Sequence, residues 1–308
     1  MAEATKTSGT LAPAVVCLGV FDGVHRGHRA LIDQARMIAG DLGIDVAVMT
    51  FDPHPMAVLR PESAPKMLAD IDERKDLLLA AGVDDVYVLN FTETTSRMTP
   101  RDFVERVVVN RLNAQAVVVG KNFWFGHEAA GDAQVLTNLG AEYGFEVYPV
   151  DIQGHQGEQW SSTNARRLIA AGEVAQAAAI LDRYYRLNGL VMHGDERGRE
   201  LGFPTANLQV AQNRAIPADG VYAGWVTAAG LGQLPAAISI GTNPQFDGQD
   251  HRIEAYVLDR ADLDLYDQKL GIDFVARVRG QAVFSGSKEL VAAMQRDVAQ
   301  TRKLLTIA

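Results

Sequence analysis

A single cysteine, Cys17, stands in the 308 residues, so no internal disulfide can form and the chain suits a reducing compartment. It lies inside a β-branched apolar run, where a small buried hydrophobe is expected rather than a nucleophile. Positive charge is scarce: 29 Lys and Arg against 38 Asp and Glu leave a net charge of −9, which argues against a general nucleic-acid surface. An anionic substrate must therefore be met by a local cluster of positive groups. Long hydrophobic runs are missing too, since no uninterrupted apolar stretch approaches the ~20 residues of a membrane span. Leu11–Phe21 has the composition of a signal-peptide core, but it has only a weakly basic start and no cleavage site, and it leads straight into Asp22-Gly23. The expectation is a cytoplasmic protein with neither membrane nor nucleic-acid partners. Its oligomeric state is left open, a homo-oligomer included. The length suffices for about two domains.

In the first half, β-branched runs alternate with helical periods. Strands are expected at about Ala14–Val20, Asp45–Thr50, Asp85–Asn90, Gln115–Gly120 and Phe145–Val150. The helices between them stop at Gly40, Gly82 and Gly144, with Asp70 and Thr99-Pro100 as start signals. Met1–Thr10, small and polar, is expected to be disordered. This alternation predicts a doubly wound parallel sheet, with ligands beyond the carboxyl ends of its strands.

Three loops fall at those ends. Gly19-Val20-Phe21-Asp22-Gly23-Val24-His25-Arg26-Gly27-His28 joins a strand to a helix through a glycine turn. The helix N-terminus offers unpaired N–H groups and a positive dipole end, a seat for phosphate. His25 and His28 share one face of the first turn, and Gly27 removes a side chain where a ring or phosphate could lie against the backbone. Such groups would stabilise charge on a triphosphate attacked at its α-phosphorus. The same spacing also suits two zinc ligands or a surface pair with no task. In Phe51-Asp52-Pro53-His54-Pro55, two prolines stiffen a loop whose His54 is either a donor at the site's edge or a solvated residue. In Gly120-Lys121-Asn122-Phe123-Trp124-Phe125-Gly126, aromatic rings and an amide share a short loop, as walls for a flat ring or as core.

Further on, Ser161-Ser162-Thr163-Asn164-Ala165-Arg166 reads as a second phosphate cradle or an ordinary capped helix. After Arg186 the helical periods give way to short alternating runs at Leu187–His193, Val221–Thr227, Leu234–Ile240, Arg252–Leu258 and Asp273–Phe284. These predict a small antiparallel β-barrel, closed by an amphipathic helix at Ser287–Leu305. The domains are accordingly set at 1–186 and 187–308. Gly194, Arg197, Gly198 and Gly202 form a glycine-rich loop able to surround phosphate oxygens, without the Walker A pattern. It leads to Pro204-Thr205-Ala206-Asn207. Glu254, taken alone, reads as a solvent-facing strand residue.

Taken together, these motifs resemble bacterial bifunctional riboflavin kinase/FAD synthetases, from about Val15 to Leu305. Gly19–His28 resembles the H-x-G-H signature of nucleotidyltransferases, and Pro204–Asn207 resembles the P-T-A-N motif of riboflavin kinases. The resemblance implies an α/β protein: an N-terminal nucleotidyltransferase domain on a doubly wound parallel sheet, and a C-terminal antiparallel barrel with a terminal helix. It implies that the barrel phosphorylates riboflavin with ATP and Mg²⁺ to FMN, and that the first domain adenylylates FMN with ATP to give FAD and pyrophosphate. His25 and His28 would stabilise charge in the transition state, with Gly19, Phe21, Gly27, Ser161, Ser162, Thr163 and Arg166 around the nucleotide. Asn122, Phe123 and Phe125 would meet the flavin. In the barrel, Gly194, Arg197, Gly198 and Gly202 would hold phosphates, Thr205 and Asn207 would serve Mg²⁺ and the nucleotide, and Glu254 would be the base. The chain departs from the family pattern at Asn122, where Asp is common, at Ala165, where a larger aliphatic residue is usual, and at Asp267, where glycine is usual.

Overall fold

The computed structural model describes residues 10, 12–152, 154, 160–193, 203–242, 251–260 and 262–307. The expected disorder of Met1–Thr10 therefore lies, but for Thr10, outside the described residues. Contacts divide the chain into two units, Met1–Ser161 and Ser162–Ala308.

The first unit is built on β1 (Ala14–Leu18), β2 (Asp45–Asp52), β3 (Asp85–Asn90) and β4 (Ala114–Gly120). A short hairpin of β5 (Trp124–Phe125) and β6 (Gly131–Asp132) precedes β7 (Glu146–Val150). The main sheet runs β3-β2-β1-β4-β7, parallel throughout. Successive strand side chains point to opposite faces. Val15 and Cys17 therefore pack with Leu31, Ile32, Ala35 and Leu78 on one side, while Val16 and Leu18 pack with Phe103, Val107 and Leu136 on the other. The first set brings in α1 (Arg26–Leu42) and, after the short α2 (Pro55–Leu59), α3 (Ile71–Ala80). Beyond α4 (Glu93–Ser96), the second set uses α5 (Pro100–Phe103), which runs on into a π-helical stretch Val104–Val109, and α6 (Ala133–Tyr143). Helices on both faces make the sheet doubly wound, as expected.

Capping agrees with the local sequence. Asp70 accepts the Glu73 N–H at 2.8 Å and Thr99 and Asp102 form a capping box, whereas α1 runs past the expected stop at Gly40 to Leu42 and ends at Gly43, in the left-handed region at φ 67°. The strand order reverses between β1 and β4, so the loops leaving those two strands flank the crevice where such sheets bind ligands.

The second unit opens with α7 (Ser162–Ala170) and α8 (Val174–Leu181). A closed barrel follows, made of β8 (Tyr185–Met192), β9 (Ala206–Gln209), β10 (Gly220–Ala228), β11 (Gly232–Thr242), β12 (His251–Val257) and β13 (Lys269–Gly280). Its order is β10-β11-β12-β9-β8-β13, and α9 (Ser287–Leu304) completes the unit. β9 has four residues, too few for alternation to announce it. The sequence boundary at Arg186 marks the change from helix to strand, whereas the contact boundary lies upstream because α8 packs on β8 and β13 of the barrel and α7 packs on α8. Gly172 between them sits at φ 80°, and a Cβ there would lie 2.8 Å from the Tyr222 hydroxyl.

The α9 helix is fastened by Arg279, whose Nε and Nη2 donate to Asp297 Oδ1 and Oδ2 at 2.9 and 2.7 Å. Asp297→Ala leaves that guanidinium without its carboxylate and should cost about 2–3 kcal/mol, the low end for a buried pair because Arg279 is 28% exposed. Thermal unfolding checks this, and an unshifted barrel transition would contradict it.

Candidate active sites

In the first unit, the end of β1 delivers two stacked imidazoles to the start of α1. His25 is the N-cap residue, and its Nδ1 accepts the His28 N–H at 3.3 Å. An accepting Nδ1 assigns the proton of neutral His25 to Nε2. The two rings stack at 3.7 Å and 21°, and Phe21 lies 4.9 Å from His28. His25 is buried and His28 half-buried. The turn before them is unusual, since Phe21, Gly23 and Val24 take φ of 53°, 77° and 38°. Asp22, in the same turn, is buried and accepts backbone N–H groups of Leu68 and Ala69. Thr50 Oγ1 donates to the Val20 carbonyl at 2.7 Å.

Gly27 needs a different physical account from the one its sequence position suggests. A Cβ there would lie 2.4 Å from Ile152 Cγ2 and 3.0 Å from both the Trp160 carbonyl and His25 Cε1. Protein atoms fill the space, so glycine at this position serves the close approach of the chain around Ile152 and Trp160. A Cβ on Gly19 would meet the Phe21 ring at 3.1 Å. Arg26 lies 5.8 Å from the centroid of the Trp160 ring.

The loop after β4 sorts its aromatics by strand alternation. Phe125 is core, 5.6 Å from Phe103, and Phe123 stacks on it at 5.6 Å and 14°. Trp124, one of the rings expected as a wall or as core, points the other way and is 62% exposed, so it is not core. Asn122 is exposed. His54 is the N-cap of α2, its Nδ1 accepting the Met56 N–H at 3.1 Å. Ser161 closes the first unit, while Ser162, Thr163 and Arg166 stand in the opening turns of α7 in the second. Ala165 is fully buried, so that departure from the family pattern falls on a packing position.

In the barrel, the antiparallel register sets Glu254 of β12 directly opposite Asn207 of β9 and Ser239 of β11. Thr205 Oγ1 donates to Glu254 Oε2 at 3.5 Å, and Arg252 Nε lies 3.5 Å from Glu254 Oε1. Ile253, Ala255 and Val257 are buried inside, which puts Glu254 on the outer face. Three residues singled out by the sequence therefore converge. Asp267 adopts φ 58°, the conformation that glycine favours and that Asp tolerates better than most residues, and its N–H donates to the Val191 carbonyl at 3.0 Å. Beside it, the Tyr266 ring stacks on His193 at 3.9 Å. Gly194, Arg197, Gly198 and Gly202 lie outside the described residues.

A family model for FAD synthetase matches residues 8–164, and one for riboflavin kinase matches residues 181–305. The chain is 39% identical over 290 residues to a bifunctional riboflavin kinase/FMN adenylyltransferase of Listeria monocytogenes, covering 94% of this chain and 91% of that one. It belongs to this family. A protein of the same name from Escherichia coli is 34% identical over 94% of this chain and 92% of its own. The Bacillus subtilis protein of that name is 32% identical, over 93% and 90%. A crystal structure described as a macrolide-efflux protein from Streptococcus pneumoniae shares the fold with a TM-score of 0.88 at 32% identity, covering 96% of each chain. Among the described residues of this chain, no helix is long and apolar enough to cross a membrane.

Gly27→Ala should cost about 2 kcal/mol by overpacking. If Ile152 is the main obstacle, adding Ile152→Ala should recover part of that loss, so the double variant should melt above the sum of the two single effects. Strict additivity would contradict the packing account of Gly27.

Proposed function

We propose that the second unit phosphorylates riboflavin with ATP to give FMN, and that the first transfers AMP from ATP to FMN to give FAD and pyrophosphate. Family membership supports the pair of activities. The observation that carries the residue assignments is the convergence of Thr205, Asn207 and Glu254 on one barrel face, with the stacked His25–His28 pair at the α1 N-terminus.

In the kinase step, Glu254 accepts the proton of the riboflavin primary hydroxyl as that oxygen attacks the γ-phosphorus, and ADP departs. Arg252 Nε stands 3.5 Å from Glu254 Oε1 and helps hold the carboxylate in place. The hydroxyl of Thr205 and the amide oxygen of Asn207, next to a carboxylate, form the all-oxygen donor set that suits Mg²⁺, and these two residues would hold it. Held there, it would supply charge neutralisation for the phosphates. Gly194, Arg197, Gly198 and Gly202 are assigned to the same phosphates.

In the adenylyl step, an FMN phosphate oxygen attacks the α-phosphorus directly and pyrophosphate leaves, with no covalent enzyme intermediate. His25, its Nδ1 occupied, offers Nε2–H to the charge that develops, and His28 stands stacked beside it. Gly19, Phe21 and Gly27 shape the nucleotide loop. Ser161, Ser162, Thr163 and Arg166 supply phosphate donors. Asn122 and Phe123 face the flavin, with Phe125 supporting Phe123 from the core. On this reading the adenylyltransferase function draws on residues up to 186, whatever unit α7 and α8 pack with. We also read the chain as cytoplasmic, with a homo-oligomer as one arrangement open to it.

His28→Ala should lower FMN adenylylation by about 100-fold or more while sparing riboflavin phosphorylation, and Glu254→Gln should do the reverse. Steady-state rates from riboflavin and from FMN, measured separately, check both. Loss of both activities in either folded variant would contradict separate sites.

A further inference from the structure

The turn that carries the histidines is stitched at both ends to one short segment, Leu68–Arg74. From one end, Asp22 (1% exposed) accepts the N–H groups of Leu68 at 3.0 Å and Ala69 at 3.1 Å. From the other, Arg74 (2% exposed) donates through Nη1 to the Val20 carbonyl at 3.2 Å, to Thr50 Oγ1 at 3.1 Å and to the Phe51 carbonyl at 2.9 Å. One guanidinium nitrogen thus ties the carboxyl end of β1 to that of β2. A buried charged side chain is costly to desolvate, and an apolar residue would pack the inner face of α3 as Leu78 does. The turn so held contains Phe21 and Val24 in left-handed backbone, which is unfavourable for any side chain with a Cβ and most of all for a β-branched one. Such conformations persist where the surroundings over-determine them, and they cluster at functional sites.

We propose that Arg74, with Asp22, is a positioning residue for adenylyl transfer: it holds the Phe21–Val24 turn in left-handed backbone and so fixes the stacked His25–His28 pair. This inference rests on the reading that the histidine pair serves FMN adenylylation. Arg74 reaches the Val20 carbonyl, Thr50 Oγ1 and the Phe51 carbonyl. Its effect passes through Val20 and the turn. A planar guanidinium can address several carbonyl acceptors in fixed geometry, which a lysine ammonium reproduces only in part.

The test uses the full chain with Arg74→Lys and Arg74→Gln. Riboflavin phosphorylation, which Arg74 does not serve, reports the integrity of the rest of the chain. NMR of the carbon-bound His28 imidazole protons, shifted by the stacked His25 and Phe21 rings, reports the site. In Arg74→Gln the kcat of FMN adenylylation should fall by about 100-fold, the size expected when reacting groups are misplaced by about 1 Å, with a much smaller change in the KM for ATP. Arg74→Lys should retain an intermediate kcat, and the His28 protons should move toward unstacked positions in both variants. A folded variant with wild-type kcat would overturn the proposal. So would a loss of kcat that only follows the folded fraction while the His28 signals stay in place. If Arg74→Gln does not fold, Arg74→Lys and Asp22→Asn decide by the same two readouts. A wild-type chain that makes no FAD from FMN would overturn the reading beneath the inference, a failure visible before any variant is made.

Discussion

β1 has no side that faces water. All five of its residues are buried, odd positions on one face of the sheet and even positions on the other. A strand so placed has no free side chain for chemistry, and the chain can present functional groups only where it leaves the sheet. It leaves at the point where strand order reverses, into a turn pinned by Thr50 and Asp22 and then into the N-terminus of α1. The location of the imidazole pair follows from that burial, and the helix dipole supplies the favourable field once the pair is there. The barrel solves the same problem differently. Its interior is filled by Ile253, Ala255 and their neighbours, so alternation sends Glu254 outward, and the ladder with β9 sets Asn207 beside it.

On the proposed assignment, both sites act on phosphorus with little covalent work for the protein. What each needs is charge and donors in fixed positions before substrate arrives. The first obtains them from backbone held in a costly conformation. The second obtains them from sheet register, which a one-residue slip would destroy because every side chain would change face. The Asp267 turn belongs to the same theme: it keeps the left-handed conformation without the glycine that usually provides it, because its N–H is bound to Val191 and the neighbouring Tyr266 is stacked on His193.

Much of this was legible in the residues. The parallel sheet announced itself through β-branched runs separated by capped helices, since burial on both faces leaves near-continuous apolar strands. The barrel showed through short alternating runs, and the histidine turn through its glycines. Other features were not legible, for physical reasons. β9 is too short to show a period. The packing of α8 against β13, with α7 upon it, is long-range, and composition records local preference only. The role of Gly27 depends on Ile152, more than a hundred residues away. Asp22 and Arg74 look like ordinary charged residues until the fold shows them buried and bonded to groups distant in sequence, Asp22 to the Leu68 and Ala69 N–H groups and Arg74 to Val20, Thr50 and Phe51.

The central claim is that one chain carries two successive transfer reactions at separate sites. The most direct measurement is a time course in which purified, flavin-stripped protein is incubated with riboflavin, ATP and Mg²⁺ and the flavins are separated. The account predicts that FMN accumulates first and that FAD follows at its expense. Starting from FMN, FAD should form without a lag. Failure to convert either riboflavin or FMN would contradict it.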